Sequence, residues 1–390
     1  MEANYINRDL TQTIQRLFEV FESVTLTGPR QSGKTTLCRT LFQQLPYVNL
    51  EDQITLAKLK NNPRDFLAQF EHGCIIDEAQ RAPEVFSYVQ LIIDEDRFTD
   101  RHEHKFILSG SNNLSLIHNI TQSLAGRTAI LNLLPLSCNE LTAHGINFTT
   151  NQLLLNGGYP AVWLSGEQYR SVILDNYYTT YVERDVRNLV SVTNMLQFNN
   201  FVRLCAGRVG TEFNASSLAV EVGVSVNTIK SWLSILTASY IVFTLQPFYA
   251  NINKRLVKKP KIYFYDTGLA AHLMGINTQE QLAVHPLRGS LFENMVVTEF
   301  MKKAANNGTH DSMYFYRDRT REVDLLQVSN DGKIKAFEIK SATHYNTDFV
   351  SNLNYLKKFI GENIVSSTVI YDGPEEPISS QHKLINYRNL

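Results

Sequence analysis

The sequence predicts an α/β fold that opens with a parallel sheet, and three observations predict it. From about residue 20 to 135, short β-type runs alternate with helical stretches, as strands joined by crossover helices must. One of these runs leads into a glycine-rich loop, and another ends in two adjacent acids. Further on, a helix–turn–helix spacing precedes a second set of β-type runs, which a long helix introduces.

At 390 residues the chain has room for two or three domains, each with a core of its own. Apolar residues make up 43% and charged residues 19%, which describes a globular chain and excludes a disordered one. The formal net charge of −1 removes any whole-chain argument for nucleic-acid binding, so such binding has to rest on local patches. Cys38, Cys74, Cys138 and Cys205 are scattered and show no CxxC or His-Cys spacing. Neither a zinc site nor a disulfide framework is expected, and a reducing compartment is. The first residues have no basic stretch followed by an apolar one, and runs such as 130–136 fall short of the roughly 18 residues that span a bilayer. A cytoplasmic location with no membrane partner follows as the expectation.

The β-type runs of the first region are 24–27, 47–50, 74–77, 106–109 and 129–133. The first leads into Gly28-Pro29-Arg30-Gln31-Ser32-Gly33-Lys34-Thr35, which matches G-x-x-x-x-G-K-[ST], and a helical run follows from Thr36. The glycines let backbone N–H groups turn inward around phosphate oxygens, and the helix presents its positive end to them. Residues 28–36 are therefore the expected nucleotide contacts, with Lys34 reaching the β- and γ-phosphates and Thr35 a ligand of Mg²⁺. The run Cys74-Ile75-Ile76-Asp77-Glu78 completes the pattern. Asp77 is expected to hold Mg²⁺ and Glu78 to polarise the attacking water, so Lys34 and Glu78 are the catalytic candidates for phosphoanhydride hydrolysis. After the run at 106–109, Ser111 or Asn112 is placed to read the γ-phosphate. Arg127 is either a sensor or arginine finger, or one half of a helix-end salt bridge. No N-K-x-D motif is present, so ATP is the expected nucleotide rather than GTP.

An aromatic, mostly helical stretch runs from 138 to about 193, and 196–262 reads as three helices and a hairpin. Within it, 214–233 has helix–turn–helix spacing. Leu218, Ala219 and Val222 are the inward face of the first helix, Gly223 makes the turn, and Ser225 caps a second helix that buries Ile229, Trp232 and Leu233. Asn227, Thr228, Lys230 and Ser231 point outward, short polar groups suited to a major groove. Lys254, Arg255, Lys258, Lys259 and Lys261 follow without an acid, as a wing that contacts phosphate would. The alternative is a protein-interaction or architectural module.

The last region reads as a helix over 291–303, strands over 323–328 and 334–339, then a helix near 348–359 and a strand near 366–371. Asp324 lies on the first strand, and Glu338 and Lys340, two apart on the next, share a face. This D-x(13)-E-x-K pattern, with Glu293 on the preceding helix, is a metal-dependent phosphodiesterase constellation. Glu293, Asp324 and Glu338 are its expected Mg²⁺ or Mn²⁺ ligands, and Asp324, Glu338 and Lys340 its catalytic groups. The bland reading is a hairpin with exposed alternating charges.

With these motifs in this order, the chain resembles a large prokaryotic family of AAA-type ATPases that carry a C-terminal domain of unknown function related to PD-(D/E)xK nucleases. The resemblance covers nearly the whole chain. Its blocks include Gly28 to Leu37, Asp77-Glu-Ala-Gln80, Leu124-Ala-Gly-Arg127, Gly157-Gly-Tyr-Pro160, Tyr181-Val-Glu-Arg184-Asp185, Lys261 to Leu269, Gly289 to Asn294 and Glu338-Ile-Lys340. Gly110-Ser111-Asn112 stands where relatives often have Gly-Ser-Gln. The resemblance implies four regions: an AAA-type P-loop ATPase domain (1–135), a helical lid or linker (136–195), a winged helix (196–262) and a restriction-endonuclease-like α/β domain (263–390). It implies an ATP-hydrolysing, DNA-associated protein in which nucleotide state controls the winged helix and the nuclease-like domain, with metal-dependent cleavage as a second activity. The alternative is an ATP-dependent regulatory or protein-remodelling switch whose nuclease-like part is an inert clamp. Homo-oligomerisation stays open, since AAA relatives form rings through an arginine finger and no residue here is assigned that task.

Overall fold

A computed structural model describes residues 5–101, 103–111, 113–182, 195–248, 259–309, 312–318, 321–375 and 382–390. The chain divides into two compact units, residues 1–136 with 305–309, and residues 137–304 with 310–390.

The first unit is built on a parallel sheet of β1 (Ser23–Thr27), β2 (Tyr47–Asn49), β3 (Ile75–Asp77), β4 (Phe106–Ser109) and β5 (Thr128–Asn132), in the order β2-β3-β4-β1-β5. The five runs read from the sequence are these strands, within one or two residues. Helix α1 (Thr11–Val20) precedes β1, and α2 (Lys34–Leu41), α3 (Gln53–Asn61), α4 (Pro63–Leu67), α5 (Glu84–Phe98) and α6 (Asn113–Ser123) lie between the strands. The central strands β1, β3 and β4 are buried along their whole length, as strands covered on both faces must be. Alternate residues feed opposite layers. Val24, Leu26, Ile75 and Ile107 join Leu10, Ile14 and Leu37 on one face. Ile76 and Leu108 join Val85, Phe86 and Val89 of α5 on the other.

The second unit begins with α7 (Cys138–Ala143), α8 (Thr150–Asn156), α9 (Pro160–Ser165) and α10 (Arg170–Tyr177). Next come α11 (Met195–Ala206), α12 (Ala215–Val222) and α13 (Val226–Ala238), and the strands β6 (Val242–Pro247) and β7 (Lys261–Phe264). Then follow α14 (Thr267–Leu273), α15 (Gln279–Val284), α16 (Arg288–Asn306), β8 (Ser312–Arg317), β9 (Glu322–Val328), β10 (Ile334–Lys340), α17 (Ser351–Ile360), β11 (Ile364–Tyr371) and β12 (Lys383–Asn386). One seven-stranded mixed sheet has the order β12-β11-β10-β9-β8-β6-β7. The hairpin of β6 and β7 thus extends the sheet of the C-terminal strands, through a parallel pairing of β6 with β8. The boundary drawn from sequence at 262/263 falls inside β7, a strand of that sheet. Leu353 and Leu356 of α17 complete a core with Val323, Leu326, Ala336 and Val369.

Candidate functional site

Parallel pairing brings the C-terminal ends of β1, β3 and β4 together, the place where open α/β sheets bind ligands. Asp77 ends β3 opposite Asn49, one residue past the pair of Ile76 with Leu108. Its carboxylate collects three hydroxyls from three elements. Thr35 Oγ1 donates to Oδ2 at 2.7 Å, Tyr47 OH to the same oxygen at 2.8 Å, and Ser109 Oγ to Oδ1. Thr35 and Asp77 therefore form the paired oxygen donors that a Mg²⁺ ion takes from protein, and the donor set fits that ion.

The loop before α2 is shaped by two glycines. Gly28 has φ +140°, and a Cβ there would lie 2.2 Å from the Leu133 carbonyl oxygen, so no other residue fits. Gly33, left-handed at φ 96°, opens α2. Lys34 is buried, and its ammonium folds back onto the loop, donating to the Gly28 and Pro29 carbonyls at 2.9 and 2.7 Å. Burial pulls its pKa down to about 8, against the attraction of Glu78 and Asp77. Ser32 Oγ is buried without a hydrogen-bond partner, an orphaned polar atom in the wall of a loop built to meet an oxyanion. Pro29 is buried, Arg30 half-buried, and Gln31 and Thr36 are exposed.

Glu78 adopts the left-handed region at φ 55°. Its Oε2 accepts from Ser111 Oγ at 3.2 Å and from Gln80 Nε2. Ser111, one of the two residues expected at the γ-phosphate, thus stands beside the expected base; Asn112 lies outside the described residues. Gln80 was not singled out, although the Asp-Glu-Ala-Gln block contained it. Arg8 was missed altogether. Its guanidinium is buried and donates to Ser32 O in the loop and to Leu134 O, both at 2.6 Å.

Of the two roles expected of Arg127, the structure shows an ion pair. It precedes β5 and its carbonyl accepts from Ser23 N, at the start of β1, whereas the loop follows the far end of that strand. Its guanidinium is bound by both arms to Asp94 of α5, at 2.7 and 2.9 Å. It is an ion pair at the opposite end of the strands from this chain's glycine-rich loop.

The C-terminal constellation also comes together, with an unexpected member. Lys340 Nζ donates to Glu338 Oε1 at 2.7 Å, and Asn352 Nδ2 reaches the same oxygen at 3.1 Å. Asp324 Oδ2 accepts from the Ile339 backbone N–H at 2.7 Å. Glu293 is engaged by Lys261 Nζ at 2.9 Å and by Tyr263 OH at 2.6 Å. Lys261, read from sequence as part of an exposed wing, is the first residue of β7 and is enclosed. Run length and charge pattern carry no information about burial, which explains that error. Desolvation and then Asp324 push Glu338 up to about 8; burial, against Lys261, pushes Glu293 up to about 7. Burial opposes the charge on Lys261, but Glu293, Asp324 and Glu322 outweigh it and hold the ammonium charged.

These residues do not fit the metal expected of them. Among the described residues no three His, Cys, Asp or Glu side chains form a group that could hold an ion. Glu293 accepts from a lysine and a tyrosine hydroxyl, and Glu338 Oε1 from Lys340 and Asn352, so the protein's own ammoniums already compensate these two carboxylates. Glu293, Asp324 and Glu338, the expected ligands, are thus each engaged by donors of the chain itself.

In the helix–turn–helix segment, Asn214 caps α12, Gly223 turns at φ 77°, and Ser225 Oγ caps α13 through Thr228 N at 3.0 Å. Helix α12 buries Leu218, Ala219 and Val222 as read, and α13 buries Ile229, Trp232, Ile235 and Leu236. Leu233 is half-buried, because the helical period carries it to the flank of that face. Asn227, Lys230 and Ser231 are exposed and Thr228 is half-buried. Lys259 is exposed, while Lys254, Arg255 and Lys258 lie outside the described residues.

Three family models match in succession: an AAA domain over residues 20–142, and two domains of unknown function, DUF8612 over 147–280 and DUF4143 over 288–390. The uncharacterized protein Rv2008c of Mycobacterium tuberculosis is 31% identical over 337 residues, covering 85% of this chain and 73% of that protein. The chain belongs to the Rv2008c family. Mb2031c of Mycobacterium bovis, also uncharacterized, is similar to the same extent. The Walker-type ATPase PABY2304 of Pyrococcus abyssi is 13% identical and covers 70% of this chain and 97% of its own, with a TM-score of 0.48, too low to carry an argument. Within this member of the family, residues 20–142 are an AAA-type P-loop domain. No helix among the described residues is long and apolar enough to cross a membrane.

Proposed function

We propose that the chain binds MgATP on residues 28–36 and hydrolyses it. The observation that carries this reading is the convergence of Thr35, Tyr47 and Ser109 on Asp77, beside a buried Lys34 that rests on its own loop carbonyls. Phosphate oxygens compete with those carbonyls for the ammonium, so the lysine turns outward when nucleotide enters. The loop N–H groups, the Ser32 hydroxyl and the N-terminus of α2 then face the oxyanion. Thr35 and Asp77 would hold Mg²⁺, which would supply positive charge against the phosphate oxygens. Glu78 orients and polarises the attacking water, and Ser111 and Gln80 set the position of its carboxylate. The test is an ATP titration of the Lys34→Ala variant. The reading expects binding to disappear; wild-type affinity would remove the loop from the account.

DNA association is the second reading, favoured by the exposed polar face at the N-terminal end of α13, as a winged helix presents it. On this reading the protein is an ATP-driven regulator, and the segment from 263 is a nuclease-like fold that holds DNA without cutting it. Its measure is duplex binding as a function of salt. Neutralising Lys230, Lys254, Arg255, Lys258 and Lys259 together should flatten the salt slope; undiminished, salt-dependent binding would refute the assignment.

A further inference from the structure

An ammonium cannot be stripped of water without partners, and Lys261, at 1% exposure, has given up nearly all of its water. Its Nζ lies 2.9 Å from Glu293 Oε1, is paired with Glu322 Oε1, and stands 5.5 Å from the centroid of the Phe315 ring. Tyr263, two residues along β7 and hence on the same face, donates its hydroxyl to the same Glu293 oxygen. Lys261 is paired to Leu245 of β6 and bridged to Glu212, so backbone pairing fixes the origin of the side chain. On β10, Lys340 is bound to Glu338. Two ammoniums thus sit in this acidic cluster, Lys261 on the helix acid Glu293 and Lys340, the lysine of the D-x-E-x-K pattern itself, on Glu338.

We propose that Lys261 is an intrinsic cation, supplying the positive charge that this pattern otherwise takes from a divalent metal. The wild-type cluster then takes up no Mg²⁺ or Mn²⁺, and removing the ammonium turns its carboxylates into a divalent-cation site. The chain does not cleave phosphodiesters at this cluster, whose charges instead fasten β7 to α16 and β9. The inference does not depend on the ATP reading, because it concerns acids of the second unit alone.

The experiment uses the full-length, nucleotide-free protein and Mn²⁺ as the probe, with bound and free ion separated by electron paramagnetic resonance. The wild type and the Asp324→Asn variant should bind the same number of Mn²⁺ ions. Lys261→Met should gain one ion per chain, the double variant Lys261→Met/Asp324→Asn should lose it again, and Lys261→Arg should match the wild type. Any contribution from Asp77 is common to all of these and cancels. A wild-type Mn²⁺ site that Asp324→Asn abolishes would overturn the proposal, as would a folded Lys261→Met variant that gains none. Should Lys261→Met fail to fold, the comparison of wild type with Asp324→Asn still decides: equal stoichiometry supports the intrinsic cation and a lost site rejects it.

Discussion

Arg8 offers the sharpest test of how the nucleotide loop is held. Replacing it with Met keeps an unbranched apolar stem and removes the guanidinium that donates to Ser32 O and Leu134 O at 2.6 Å. Each hydrogen bond from a charged donor is worth about 1.5–3 kcal/mol, so losing both costs about 3–6 kcal/mol. That is a large share of the roughly 5–15 kcal/mol that keeps a domain folded. At about 3 °C per kcal/mol for a unit of this size, the first unit should melt about 9–18 °C earlier. Arg8→Lys keeps the charge but not the fork, so it should serve one carbonyl and lose about half as much. The assay is calorimetry of the whole chain, following the transition that MgATP raises, because a ligand stabilises the unit that binds it. ATP affinity should fall as well, since Ser32 is part of the loop. An Arg8→Met protein that melts within about 2 °C of wild type and binds ATP normally would refute the reasoning.

Other consequences follow from the same unit. Arg127→Ala should leave the ATP affinity of the chain unchanged and cost no more than about 1 kcal/mol, because its pair with Asp94 is partly exposed; a tenfold loss of affinity would return Arg127 to the nucleotide site. The Glu22 carboxylate, bound by both arms of Arg97, is held below the ordinary glutamate value of 4.5 by that hydrogen bonding. A lowered folded-state value means that the contribution is complete above about 4.5 and is lost as pH falls through the folded value. Acid titration of thermal stability should therefore show a shallower acid limb in Glu22→Gln than in wild type, and identical limbs would contradict the ion pair.

The first unit was legible because its signals are local. A strand, a glycine-rich loop and an apolar run ending in Asp77 and Glu78 can each be read in fewer than ten residues, and parallel pairing then brings them together. Tyr47 and Ser109 carry no motif, but both sit on strands that flank Asp77, so the sheet order would have found them. Arg8 could not be found that way, since its carbonyl partners lie 24 and 126 residues away. Lys261 misled in the opposite direction. It shares a stretch with Lys258 and Lys259, and sequence proximity suggested one exposed basic patch, yet Lys259 is exposed and Lys261 is not. β7 begins at Lys261, which shares with Tyr263 the face toward Glu293, while Lys259 lies before the strand. Much of the helix–turn–helix segment was legible because the Ser225 cap and the glycine turn leave marks in sequence, while the Asn214 cap went unread.

The central claim, that the convergence on Asp77 serves hydrolysis with Glu78 as the base, rests most directly on ATP turnover by wild type and by Glu78→Gln, measured alongside ATP binding. The account predicts that the variant binds ATP as tightly as wild type while turnover falls by about two orders of magnitude or more, as loss of a general base entails. Turnover at the wild-type rate in a variant that still binds would show that the base lies elsewhere, and that the hydroxyls gathered at Asp77 serve binding alone.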